Sequence, residues 1–242
     1  MKGIVMPADP LDSHQPFDTS NVLAKTLTGL AEGLTGIAAS ERKDWILSLG
    51  HILQSIRGGR LLSSFASERQ AYREKGKIKE DYTDTDQHQE CLQELLDFLD
   101  EGPPDTARFA VLKKILLVAA SEKASSRDSV LPQQYMSICR DLTSGELLVL
   151  VSAYTVSKAP PSVSLNRPED ARIWLQAIAS TSGLDYSELV EVHERALIEK
   201  NLVTARLHPD RSGVTMGEHF RLTRLAYDLC RYIERYDDLV AA

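Results

Sequence analysis

The sequence predicts a mainly α-helical protein: an N-terminal helical bundle followed by a small C-terminal unit in which helices flank a β-hairpin. Three observations carry that expectation. Apolar residues recur at alternating steps of three and four through most of residues 20–157, the spacing of one helix face. An aperiodic stretch bearing proline and serine, Lys158-Ala-Pro-Pro-Ser-Val-Ser-Leu-Asn166, interrupts the pattern. Beyond it, two β-prone runs, Leu202–Leu207 and His219–Thr223, stand between helical patterns. The expected organisation is a loose arm over 1–19, a bundle over 20–157, a linker over 158–167 and the mixed unit over 168–242.

Composition supports a protein with a real core. Of 242 residues, 43% are apolar and 26% charged. Lys and Arg number 28 against 35 Asp and Glu, a net charge of −7, which argues against default binding to phosphate backbones. Three dispersed cysteines, Cys91, Cys139 and Cys230, make neither a disulfide framework nor a paired metal motif, so a reducing cytoplasm is expected. The apolar patch near Met1 is too short for a signal-peptide core. The longest apolar run, Leu147–Val156, is about half a membrane span and reads as a buried helix.

In order, Leu23, Leu27, Leu30, Leu34 and Ile37 form a first helical stripe interrupted by glycines, with too few cations for a membrane-surface helix. A second helix is expected over 40–56, ended by Arg57-Gly-Gly-Arg60, and a third over 61–81 with a basic second half of Arg69, Arg73, Lys75, Lys77 and Lys79. The following stretch, 80–101, carries only acidic formal charges, and the two halves are expected to complement each other. Asp81–Asp86 fails the calcium-loop pattern and reads as a helix start. His88 and Cys91 could share a ligand face, but nothing nearby completes a four-ligand set. Leu92, Leu95, Leu96 and Leu99 mark a fourth helix stopped by Gly102-Pro-Pro104, and Thr106 to about Ala124 a fifth. A short helix over 133–140 and a capping box, Thr143-Ser-Gly-Glu146, lead into the helix of the long apolar run. After the linker, Trp174, Leu175, Ile178 and Ala179 share a face up to Gly183.

The last unit begins at Asp185 with a helix to Asn201, followed by strand, turn 208–213, strand, and a closing helix over 225–236. Helix, strand, turn, strand, helix is the back half of a winged helix. On its first helix, Leu189, Val192, His193, Ala196 and Leu197 are expected inward. The outward interaction face then carries Glu188, Glu191, Glu194 and Arg195, carboxylates where a DNA-reading helix would meet phosphates. The candidate wing contacts are Arg206, His208, Arg211 and Arg221, which could reach a phosphate backbone. Neither part of the chain is basic overall: the net is −4 up to Ala159 and −3 beyond it. The tripeptide His208-Pro-Asp210 matches that of J-domain co-chaperones, but strands are expected on both sides of it.

No serine-hydrolase elbow, zinc-protease motif, dinucleotide glycine fingerprint or phosphate loop is present, and the six histidines are dispersed. No catalytic residue, metal or cofactor is therefore expected. Leu95-Leu-Asp-Phe-Leu99, Pro104-Asp-Thr-Ala-Arg-Phe109 and Leu142-Thr-Ser-Gly-Glu-Leu147, with the C-terminal hairpin, resemble bacterial abortive-infection proteins of the alpha type. That resemblance implies a helical region with a winged-helix-like end and a link to phage defence. Leu197-Ile-Glu-Lys-Asn-Leu-Val203 with Phe220-Arg-Leu-Thr223 resembles the helix and wing of MarR-type regulators, from which the acidic helix face departs. The expected function is a non-enzymatic interaction or regulatory protein that contacts protein, its own copy included, as a homo-oligomer. A DNA-binding regulator acting through a basic wing stands second, and a membrane partner is not favoured.

Overall fold

The computed structural model describes residues 49, 51–52, 55–79, 85–121, 130–158, 170–184, 186–208, 211–214 and 220–241. The protein is mainly helical. Its elements are α1 (Ile56–Glu74), α2 (Asp86–Asp100), α3 (Thr106–Ser121), α4 (Val130–Asp141), α5 (Ser144–Lys158), α6 (Asp170–Ser182), α7 (Ser187–Glu199), β1 (Arg206–His208), β2 (Arg211–Val214) and α8 (Arg224–Ala241).

α3 is the hub. Every residue from Ile115 to Ala120 is buried, as befits a helix apolar on all sides. It packs against α1, α2, α4, α5 and α8. α2 is amphipathic instead: His88, Cys91, Leu92, Leu95, Leu96, Phe98 and Leu99 face inward. Its acidic outer side meets Arg140 of α4, which lies 2.6 Å from Glu94 and also pairs with Glu101. α5 bridges α6, α7 and α8. The buried apolar residues form one cluster drawn from both sides of the 158–167 stretch, of which 159–169 lie outside the described residues.

Local signals explain most boundaries. Thr85 caps α2, its side chain accepting from the His88 N–H. The Thr143–Glu146 box closes reciprocally: the Thr143 N–H donates to Glu146 at 2.9 Å and the Glu146 N–H to Thr143 Oγ1 at 3.3 Å. α1 ends in a left-handed glycine, Gly76 (φ 67°), with the Gly76 N–H on the Arg73 carbonyl and the Lys77 N–H on that of Tyr72, the paired bonds of a Schellman motif.

Several expectations are corrected. Gly58 and Gly59 do not end a helix; they lie in the first turn of α1, which Ser55 caps through the Gly58 N–H. The carbonyl of Ile52 stands 3.0 Å from where a Cβ at 58 would be, so the chain uses glycine for close approach. Of the basic residues over 69–79, Arg69 is buried beside His88 of α2, and Lys77, just past α1, reaches the Leu239 carbonyl of α8 at 2.8 Å. The expected β-hairpin does not form over Leu202–Leu207 and His219–Thr223. Val203 and Leu222 make a single bridge, and Phe220 and Arg221 are left-handed (φ 51° and 70°), which no extended strand tolerates. The short ladder that does occur pairs β1 with β2, Arg206 opposite Val214 and His208 opposite Arg211. The expected helix over 20–37, most of the one over 40–56 and the Asp81–Asp84 stretch lie outside the described residues.

Candidate functional site

Among the described residues, α7 and the turn before α8 hold a buried polar cluster of Glu194, Arg206 and Arg221. Val190, Glu194 and Leu197 are the buried residues of α7, so the core-facing stripe of this helix contains a carboxylate. The Glu194 carboxylate receives a guanidinium nitrogen of Arg221 at 2.8 Å and one of Arg206 at 2.8 Å. Arg206 also reaches Glu191 at 3.1 Å. Arg221 is fully buried, donates to the Thr204 carbonyl at 2.8 Å, and lies 4.3 Å from the centroid of the buried Trp174 ring of α6. Backbone bonds from Thr204 N–H to Arg221 and from Thr223 N–H to Leu202 pin the turn that delivers it.

The electrostatics follow from burial. Loss of water pushes the Arg221 guanidinium down from its ordinary value and Glu194 opposes that shift; an arginine nevertheless stays charged. Arg206 is held above its ordinary value, chiefly by its hydrogen bond to Glu194. The arrangement is a buried carboxylate clamped by two arginines, with the more buried one stacked on an indole. Its geometry fixes the position of α7 against α6 and the turn.

This changes the expected sites. Glu194 is not on an outward face; it is 1% exposed and paired inward. Glu191 is half-buried and bound to Arg206, which leaves Glu188 and Arg195 as the exposed members of the expected interaction face. Leu189 and Val192, expected inward, are 46% and 60% exposed. Among the expected wing contacts, Arg206 and Arg221 are engaged internally, while the side chains of His208 and Arg211 lie outside what the structure describes. The signal that could have found Glu194 is its place in the Val190-x3-Glu194-x2-Leu197 stripe, which a helix turns to one side.

α5 supports α7 from below. The His193 ring occupies the space a Cβ at Gly145 would take. Lys200, just past α7, reaches Glu146 at 2.7 Å and the Asp141 carbonyl at 2.9 Å. Burial alone would raise the Glu146 carboxyl, but hydrogen bonds from Lys200 and the Thr143 N–H outweigh it and hold the group below the usual carboxylate range.

A second polar place is a cleft of about 210 Å³ between α5 and α8, where Tyr154 donates to Glu234 at 2.7 Å and Lys158 pairs with the same carboxylate. Burial and Glu234 push the Tyr154 hydroxyl up, and burial pushes up the adjoining Cys230 thiol. Both are held protonated, the wrong state for a nucleophile or base at neutral pH. Cys139 is likewise pushed up by burial, to about 12. His88 and Cys91 both lie in the core, His88 Nε2 facing the Arg69 guanidinium at 3.4 Å. Among the described residues no group of three or more His, Cys, Asp or Glu side chains is placed to hold a metal ion.

No protein-family model, curated protein or solved structure matches this chain. None of the described helices is long and apolar enough to cross a membrane.

Proposed function

We propose that this chain is a non-enzymatic interaction protein whose contact surface is the outer face of α7. The observation that carries this reading is the inversion on that helix. Its charged residue Glu194 is turned inward, while Leu189 and Val192 stand in solvent beside Tyr186, which is 67% exposed. Apolar side chains grouped on one short helix, with a core already filled beneath them, are the mark of a surface that meets another protein. The resemblance to abortive-infection proteins supports a role in phage defence in a bacterial cytoplasm. The nucleic-acid alternative loses support because two of its four basic contacts, Arg206 and Arg221, already neutralise Glu194.

A photo-reactive side chain at position 192 of the full chain, irradiated in cells, tests this. The expected product is a covalent adduct with a polypeptide, abolished by Leu189→Glu. An adduct with nucleic acid, or cross-linking only within the same chain, overturns the reading.

A further inference from the structure

We infer that the partner of α7 is α7 of a second copy, packed antiparallel about a two-fold axis at Val192. This rests on the proposal that the α7 face is a protein contact, and adds the identity and orientation of the partner. The argument is the charge pattern around the exposed strip. At roughly 100° per residue, with Val192 as the centre, Glu188 and Arg195 fall about 40° and 60° to one side and Leu189 about 60° to the other. Glu188 and Arg195 therefore form one charged edge, negative towards the N-terminus and positive two turns later. Both are exposed. Glu188 meets only the Ser187 hydroxyl at 3.4 Å among the described residues, and Arg195 makes no ion pair among them.

When two such helices run antiparallel face to face, each edge lies against the same edge of the other copy, reversed in direction. Glu188 then faces Arg195 of the second copy, and Arg195 faces its Glu188, so both pairs are of opposite sign. Val192 meets Val192 at the axis, and Leu189 covers the region of Ala196 on the second copy. A parallel arrangement loses this match, because the charged edge of one helix would lie along the Leu189 edge of the other. The strip is therefore self-complementary in the antiparallel orientation, and a two-fold contact of this kind closes at two copies. Two helical turns per copy make a small interface, so a weak dimer is expected, with a Kd on the order of tens of micromolar or above.

Sedimentation of the full chain across about 1 to 200 µM tests this, since a Kd of the expected order lies within that range. The unaltered chain is expected to dimerise. Glu188→Arg and Arg195→Glu alone each place like charges opposite one another and should weaken the dimer at least about tenfold. Combined, they restore opposite-sign pairs and should bring the affinity back to within about threefold of the original. A chain that stays monomeric throughout, a dimer indifferent to the single exchanges, or a double exchange that fails to restore it overturns the inference. The adduct at position 192 separates this failure from failure of the underlying proposal. A monomeric chain cross-linked to a different polypeptide removes the self-pairing and keeps the contact surface; a monomeric chain cross-linked only to itself removes both.

Discussion

Glu194 and Arg221 face each other at 2.8 Å with both side chains closed to water, and Arg206 reaches the same carboxylate from the more open side. The asymmetry of this cluster predicts unequal costs. Glu194→Gln leaves two guanidinium groups close together, one of them fully buried, without the charge that offsets them. Unfolding by denaturant is expected to register a loss of about 3–5 kcal/mol, the range for breaking a buried pair. Arg221→Met leaves Glu194 with Arg206 and keeps an apolar stem over Trp174, so its loss should be smaller, about 1–3 kcal/mol. Equal losses for the two variants would show that Arg206 does not sustain the carboxylate.

Gly145 and His193 make a second coupled pair, and here the sign of a substitution depends on its neighbour. Alanine is favoured over glycine inside a helix by about 1 kcal/mol, so Gly145→Ala should stabilise α5 if nothing stood in the way. The His193 ring does stand there. Gly145→Ala in the unaltered chain is therefore expected to destabilise by about 1–2 kcal/mol, since the ring must leave its place. In a His193→Ala background the same change should become neutral or stabilising. A double-mutant cycle by thermal or denaturant unfolding reads the coupling directly.

The parts of this architecture legible in the sequence are those decided locally. Thr143 and Glu146 are three residues apart and satisfy each other's backbone, so the box could be read without knowing what packs on it. The leucine stripe of α2 and the Gly102-Pro-Pro stop are of the same kind. The candidate site was not legible because its causes are long-range. Nothing local says that Glu194 will find Arg221 from a turn far along the chain, and a carboxylate on a helix is by default assigned to solvent. Once Glu194 turns inward, the whole face rotates, which is why Leu189 and Val192 emerge where burial was expected. The run His219–Thr223 was misleading for a related reason. Its apolar residues do become buried, but through left-handed backbone at Phe220 and Arg221 that aims the guanidinium at Trp174.

The capping box offers a local test. Thr143→Ala removes the acceptor for the Glu146 N–H and should cost about 1 kcal/mol. Glu146→Gln can retain the bond from the Thr143 N–H but gives up the charge opposite Lys200, so its loss should shrink at high salt while that of Thr143→Ala should not. Denaturant unfolding of both variants at low and high ionic strength distinguishes the two contributions.

His88 links stability to pH. Burial, with a smaller contribution from the Arg69 cation, lowers its pKa from 6.5 to about 3. A histidine depressed in the fold is neutral there while the unfolded chain still takes up a proton. Its contribution is complete above the unfolded value and is lost as pH falls through the window from 6.5 towards 3. The slope approaches roughly 1.4 kcal/mol per pH unit within that window. Two carboxylates act in the same direction, since Glu146 and Asp105 are both held below the usual range, but they are lost only around and below their unfolded values. The interval from about pH 6.5 to 4.5 is therefore where His88 is seen most cleanly. Denaturant midpoints across it should fall for the unaltered chain by the equivalent of about 2 kcal/mol and stay nearly level for His88→Gln, which has no titrating ring. Parallel curves for the two proteins would mean that the ring takes up its proton equally in the folded and unfolded chain, contrary to its place beside Arg69 in the core.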